Sequence, residues 1–197
     1  MKIVTLMGSP RKKGNTDIVL SLFEAKMKEN GHRVERINIA GKKIAGCSGC
    51  WACAKAKSAP GCAFKDGAIP VFKSMMSADA TVYATPLYCW DFTSQMRALI
   101  DRHVCLVSGF ETPAHASALE GKTTALLVTC EGPVKDNADL IQIMFDRLNG
   151  YGKSCVAGKF IVPGCVSPES IGPKAEKTAV KMVAAMEKTA LKRSKSK

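Results

Sequence analysis

Apolar positions along the chain switch repeatedly between two periods, and the switches mark its elements. "KIVTLMG" (2–8) is a continuous apolar run that stops at a glycine, the pattern of a strand covered on both faces. "SPRKKG" follows as a turn. In "NTDIVLSLFEAKMKENG" (15–31) the spacing becomes helical: Ile18 and Leu22, and Val19, Phe23 and Met27, fall four residues apart. Asn15 is the expected N-cap, Asp17 sits in the first turn, and Gly31 ends the helix. "HRVERINI" (32–39) alternates and predicts a second strand. The opening of the chain is therefore a β–loop–α–β unit, the building block of parallel sheets.

The alternation continues. "AIPVFKSMMSAD" (68–79) predicts a short helix and "ATVYATPLY" (80–88) a third strand running into a proline-containing loop. "FTSQMRALIDRHVCLV" (92–107) predicts a helix with Phe92, Met96, Leu99, Ile100 and Val104 inward. "KTTALLVTC" (122–130) is a fourth strand, "DNADLIQIMFDRLNGYG" (136–152) a helix ending at Gly150, "SCVAGKFIVPG" (154–164) a fifth strand, and a last amphipathic helix starts at Pro173. Ser108–Gly121 has no clear period. Five strands alternating with helices predict an α/β fold, a three-layer α/β/α sandwich around a five-stranded parallel sheet. That strand count suits the flavodoxin-like order 2-1-3-4-5. A ligand then belongs beyond the carboxyl ends of strands 1, 3 and 4, at "MGSPRKKGNT", "ATPLYCWDF" and "VTCEGPVKDN". One domain is expected over 1–191, with 192–197, "KRSKSK", as a basic disordered tail.

Composition narrows the function classes. At 197 residues and 46% hydrophobic, the chain can bury a full core. No apolar run approaches the ~20 residues that span a bilayer, and the start lacks the long apolar core and cleavage site of a signal peptide. A cytoplasmic protein with no membrane partner is expected. The net charge is +12. The basic tail is short and has no aromatic residues between its charges, so it predicts a solvated end rather than a nucleic-acid site. The remaining excess suits anionic small ligands such as phosphate-bearing cofactors.

"GSPRKKGNT" (8–16) lies where a strand hands over to a helix, a natural anion site. Ser9 and Thr16 offer hydroxyls, Asn15 an amide and Arg11 a planar fork, with Gly14 in the turn. The dinucleotide fingerprint and the Walker pattern are both absent, so the loop suits a phosphate monoester; an ordinary polar turn is the alternative. Together with "TPLYCWDFTSQMRALIDR" (85–102), this loop resembles the flavodoxin-like NAD(P)H-dependent FMN reductase family, whose second motif runs SPxYxxxxSxxxKxxIDR. The resemblance extends over nearly the whole chain. It implies non-covalent FMN, with Ser9, Arg11, Asn15 and Thr16 at the phosphate. Pro86, Leu87, Tyr88, Cys89 and Trp90 would lie under the isoalloxazine, and Cys130, Glu131 and Gly132 near the flavin. A flat apolar ring needs a stacking surface and main-chain hydrogen bonds, which a proline-bearing loop with Tyr88 and Trp90 can give. Plain core or dimer packing is the other reading of those two rings. Asp101 and Arg102 match the family's IDR and are expected to pair locally; His32, His103 and His115 are expected to be ordinary surface or helix histidines.

"GCSGCWACAKAKSAPGC" (46–62) sets Cys47, Cys50 and Cys53 at every third residue, with Cys62 after a Pro-Gly turn. Its C-x2-C-x2-C-x8-C spacing resembles the compact motif of iron–sulfur flavoproteins, a subgroup of the same family, which implies a [4Fe–4S] cluster on these four cysteines. The gap from Cys53 to Cys62 is longer than usual there. Free thiols, zinc and disulfides stay open as alternatives, zinc and disulfides ranking low for this spacing and compartment.

The expected function is an oxidoreductase moving electrons from NAD(P)H or a ferredoxin-like donor through FMN, with or without a cluster, to a small acceptor such as a quinone. No side chain is assigned an acid–base role. The family also implies a homodimer or homotetramer. The alternative is a non-catalytic FMN-binding redox carrier or sensor with a cysteine switch.

Overall fold

The structure, a computed structural model, describes residues 1–195. In chain order its main elements are β1 (Lys2–Met7), α1 (Asn15–Glu29), β2 (Arg33–Asn38), α2 (Ala68–Ser77), β3 (Ala80–Pro86), α3 (Ser94–Ile100), β4 (Val107–Ser108), β5 (Ala116–Ser117), β6 (Thr123–Thr129), α4 (Asp139–Tyr151), β7 (Cys155–Val162) and α5 (Gly172–Lys195). Five strands form a parallel sheet in the order β2-β1-β3-β6-β7. The expected order 2-1-3-4-5 left out β4 and β5, which pair antiparallel as a separate ribbon in the stretch without a period, so its numbering departs after β3. Helix α5 runs to Lys195, into the stretch expected as a tail; positions 196 and 197 lie outside the described residues.

The apolar strands separate two cores, because successive side chains leave a strand on opposite faces. On β1, Val4 and Leu6 face the helices α2, α3 and α4, joining Val71, Phe72, Met96, Leu99 and Phe145. Ile3 and Met7 face α1 and α5, joining Val19, Phe23, Met182 and Met186. Truncating a fully buried residue such as Phe23 or Phe72 to alanine costs about 3–5 kcal/mol. Helices on both faces of a parallel sheet make the expected three layers.

Two local expectations need correction. Gly14, not Asn15, is the N-cap of α1, in extended conformation and with no side-chain cap; the Asn15 amide is used elsewhere, donating to Cys165 O at 3.1 Å. The helix expected over 92–107 breaks after Ile100 and resumes as a 3₁₀ turn, His103–Leu106. The break turns His103 inward. Its imidazole bonds Tyr83 Oη (2.9 Å) and Leu99 O (3.0 Å), and burial lowers its pKa to about 4, so it is a buried neutral group and not a surface histidine.

Arg102 is also buried, and it pairs across the fold rather than locally. Its Nη1 reaches Asp66 Oδ2 at 2.6 Å and Ala45 O at 3.2 Å, while its Nη2 reaches Cys62 Sγ at 3.2 Å and Phe64 O at 3.4 Å. The guanidinium thereby pins the long connection from β2 to α2 against the end of α3. Asp101, by contrast, does pair locally, with Arg97 at 3.0 Å. Burial acts to raise the Asp66 carboxyl, but hydrogen bonds from Arg102 and from the N–H groups of Ala45 and Ala68 bring it below the usual carboxylate value. A lowered carboxylate stabilises the fold above its unfolded pKa of about 3.9 and loses that contribution as pH falls through the folded value. Asp66→Asn should therefore cost about 3 kcal/mol in urea unfolding at pH 7, since it leaves a buried cation unpaired. The gap from wild type should close below about pH 4; a gap independent of pH would refute the pairing.

Candidate functional site

The carboxyl ends of the strands meet at one edge: Met7 lies opposite Ala84, Pro86 opposite Thr129, and Thr129 opposite Val162. Gly8 leaves that edge under close contact. Its N–H donates to Ala84 O (2.8 Å), its carbonyl accepts from Thr93 Oγ1 (2.8 Å), and a Cβ there would sit 3.0 Å from Met96 Cε and 3.2 Å from Ala84 O. No side chain fits without displacing its neighbours, which is why the strand ends in glycine. The loop then turns on itself. Ser9 Oγ accepts from Arg11 N–H at 3.2 Å, Lys13 takes a left-handed conformation (φ +56°), and its N–H donates to Asp17 Oδ2 at 3.0 Å.

A cleft of about 360 Å³ opens between this loop and the loops after β3, β6 and β7. Of the expected residues, Ser9, Arg11, Gly14, Asn15, Thr16, Pro86, Leu87, Tyr88, Cys130 and Glu131 line it. Cys89, Trp90 and Gly132 do not. Cys89 and Trp90 both take positive φ (+47° and +64°) at the tip of a tight turn, closed by reciprocal bonds between Tyr88 and Asp91 at 3.0 Å, and both are exposed. Gly132 packs instead beneath Asn137, whose Nδ2 would lie 2.9 Å from a Cβ. The sequence reading missed Lys12, Lys13, Thr129, Cys165, Val166 and Pro168. The two lysines were visible inside the quoted loop. The last three residues follow β7, a strand exit that the expected site did not include.

The chemistry of the cleft is uneven. One end has Arg11, Lys12 and Lys13, all exposed, around the start of α1. No side chain caps that helix, so its first-turn N–H groups and the positive end of its dipole are open to an anion. Asn15 Oδ1 is buried and has no partner, an acceptor in want of an O–H or N–H donor. Thr16 is 2% exposed and its hydroxyl bonds Thr129 Oγ1 at 2.6 Å, so the hydroxyl is shared within the wall rather than presented alone. The other end is drier, with Pro86, Leu87 and Tyr88. Here the N–H groups of Leu87 and Tyr88 already donate to Thr129 O (2.9 Å) and Asp91 O (3.0 Å). The arrangement suits a ligand with an anionic tip, a hydroxylated stem and a flat apolar head, and FMN has these three parts.

The four-cysteine loop lies apart from the cleft. Cys47 and Cys50 are exposed, and Cys53 and Cys62 are partly buried. Gly49 (φ +66°) and Trp51 (φ +56°) turn the chain, and Trp51 packs edge-on against Phe110 at 6.0 Å. Hydrogen bonds from Ala52 N–H and Ser48 lower the Cys50 pKa. Burial raises that of Cys53, as do the charges of Cys47, Cys62 and Cys50, so the four sulfurs share one electrostatic neighbourhood. They do not close a cage: among the described residues no three His, Cys, Asp or Glu side chains converge on a point that could hold a metal ion. Among those residues, also, no helix is long and apolar enough to cross a membrane.

Comparison with known proteins gives the family. The chain is 30% identical over 191 residues to an iron–sulfur flavoprotein of Archaeoglobus fulgidus, covering 95% of this chain and 81% of that protein. It is 31% identical over 106 residues to an iron–sulfur flavoprotein of Methanosarcina thermophila, where the match spans 54% of each chain. The NAD(P)H:quinone oxidoreductase from Methanothermobacter marburgensis superposes with a TM-score of 0.71 over 91% of this chain and 97% of that one; at 19% identity this likeness speaks for the fold. The profile of the NADPH-dependent FMN reductases matches residues 1–151, a span that holds the phosphate-type loop, the Pro86–Tyr88 loop and the exit of β6. On that match, and on a relative aligned with 95% of this chain, the chain belongs to the NADPH-dependent FMN reductase family and is an oxidoreductase of that family.

Proposed function

We propose that the cleft at the carboxyl edge binds FMN, and that the chain passes electrons from NAD(P)H or a ferredoxin-like donor through it to a small acceptor such as a quinone. The observation that carries this reading is the unpartnered, buried Asn15 Oδ1 beside an uncapped helix start. A ribityl hydroxyl supplies the donor that Asn15 lacks, and a phosphate supplies the charge that the helix start lacks. In this reading Arg11, Ser9 and the first turn of α1 hold the phosphate, with Lys12 and Lys13 adding field. Pro86, Leu87 and Tyr88 hold one face of the ring and keep water from it. Bound FMN supplies hydride and single-electron chemistry; the chain positions it and sets its surroundings. Exposed Tyr88 and Trp90 beside the cleft support a dimer or tetramer that covers the ring.

The finer part of the proposal assigns Cys47, Cys50, Cys53 and Cys62 to a [4Fe–4S] cluster. Its support is the spacing, the shared electrostatics of the four sulfurs and the naming of the relatives as iron–sulfur flavoproteins. The four sulfurs as placed do not form the cage, and none of them lines the cleft.

Three measurements test these statements. Fluorescence titration of the flavin-free chain should show FMN binding far more tightly than riboflavin. Arg11→Ala should lose about tenfold in FMN affinity, the worth of one charge-assisted hydrogen bond, while leaving riboflavin affinity unchanged. Equal affinity of the wild type for the two flavins would remove the phosphate site. In stopped flow, NADPH, NADH or reduced ferredoxin should bleach the bound flavin at turnover rates; failure of all three leaves a passive carrier. Anaerobically purified wild type should hold about four irons per chain, and Cys62→Ser should lose most of them at constant flavin. An iron-free wild type defeats the cluster and leaves the FMN site standing.

A further inference from the structure

Two cysteines outside the four-cysteine loop stand together in the wall of the cleft. Cys130 follows β6 and Cys165 follows β7, on neighbouring parallel strands. The backbone ties them directly: Cys130 N–H donates to Val162 O at 3.0 Å, and Cys165 N–H donates to Cys130 O at 2.9 Å. The second of these bonds holds the two cysteines side by side just beyond the strand ends. Their side chains converge as well. Cys165 Sγ lies 3.1 Å from Val162 O, and Cys130 Sγ, whose nearest acceptor is Gly132 O at 3.4 Å, lies 3.9 Å from the same Val162 O.

The two thiols are not equivalent. Cys130 is 6% exposed, whereas Cys165 is partly exposed and adjoins Val166 at the mouth of the cleft. Burial raises the pKa of each. The charge of Cys165 raises Cys130 further, while at Cys165 a hydrogen bond from the backbone of Cys130 and the ammonium of Lys174 oppose the burial. Cys165 is thus the thiol that an incoming reagent meets first and the one whose thiolate is better supported. The Cys165 carbonyl also accepts the Asn15 amide, so this wall is continuous with the phosphate-type loop.

We propose that Cys130 and Cys165 are a redox-active dithiol that closes to a reversible disulfide in the wall of the cleft by exchange with low-molecular-weight disulfides. The Cys165 thiolate attacks one sulfur of the small disulfide; that S–S bond breaks and one small thiolate leaves. The Cys130 thiolate then attacks Cys165 Sγ, the Cys165–S bond to the small molecule breaks, and the second small thiolate leaves. Two electrons pass from the protein pair to the small disulfide, and the two protein protons end on the departing thiols. The closed form staples the loop after β6 to the loop after β7, across the wall that Asn15 leans on.

The test does not depend on FMN. Oxidised glutathione is added to the chain as purified, remaining thiols are blocked, and non-reduced tryptic peptides are mapped. The sequence makes the map unambiguous, because Cys130 falls in TTALLVTCEGPVK and Cys165 in FIVPGCVSPESIGPK, each with one cysteine. The expected result is joint loss of the two unlinked peptides, appearance of the linked pair, and full reversal by dithiothreitol. Cys130→Ser should instead trap a glutathione adduct on Cys165. If Cys130→Ser does not fold, Cys165→Ser should leave Cys130 unlinked. Wild type in which both peptides stay unmodified, or carry separate glutathione adducts, overturns the proposal whether or not the chain binds FMN.

Discussion

A parallel sheet whose crossover helices leave to opposite faces cannot cover the carboxyl end of its middle strands. From β1 the chain departs to the face of α1; from β3 it departs to the face of α3. The crevice between those departures is a consequence of right-handed crossovers, and it exists before any ligand chemistry is considered. Everything else at the edge is built into it. The glycine-ended β1 brings its loop close to β3, the loop delivers α1 with a bare N-terminus, and β6 and β7 add the remaining wall.

The fold was legible because buried strands and amphipathic helices have different periods, and this chain keeps them distinct from Lys2 to Val162. What escaped was governed by contacts distant in sequence. The β4–β5 ribbon is only two residues per strand, too short for a period to register. The stop after Ile100 depends on Arg102 finding Asp66 and on His103 finding Tyr83, partners 36 and 20 residues away. At the site, the loop after β1 was readable because glycine, hydroxyl and basic residues cluster where a strand ends. Cys165 was not, because a cysteine in an apolar stretch is ordinarily a small buried hydrophobe. Only the hydrogen bond from Cys165 N–H to Cys130 O, beyond the strand ends, shows that it lies against Cys130.

The nine cysteines divide into groups with different surroundings. Four share the loop after β2, where one of them, Cys62, accepts a bond from the buried guanidinium of Arg102. Two stand in the cleft wall. Cys105 is deeply placed beneath the cysteine loop, its carbonyl accepting Gly61 N–H at 3.0 Å, and burial pushes its thiol up to about 12. A thiol in that state is inert packing. Residue type therefore says little about reactivity here; the local dielectric and the nearest charge decide it.

Gly8 has a consequence for how the cleft is held together. Its amide is fastened to β3 and its carbonyl to the residue that opens α3, and a methyl group there would press on Met96 and on Ala84 O. The exits of the two central strands are thus tied directly to each other. The segment beyond β7 is tied to them by the Asn15 amide on Cys165 O, while its next residue, Val166, stands with 76% of its surface in solvent. A guest in the cleft would therefore meet a cross-tied floor and one exposed apolar side chain at its rim.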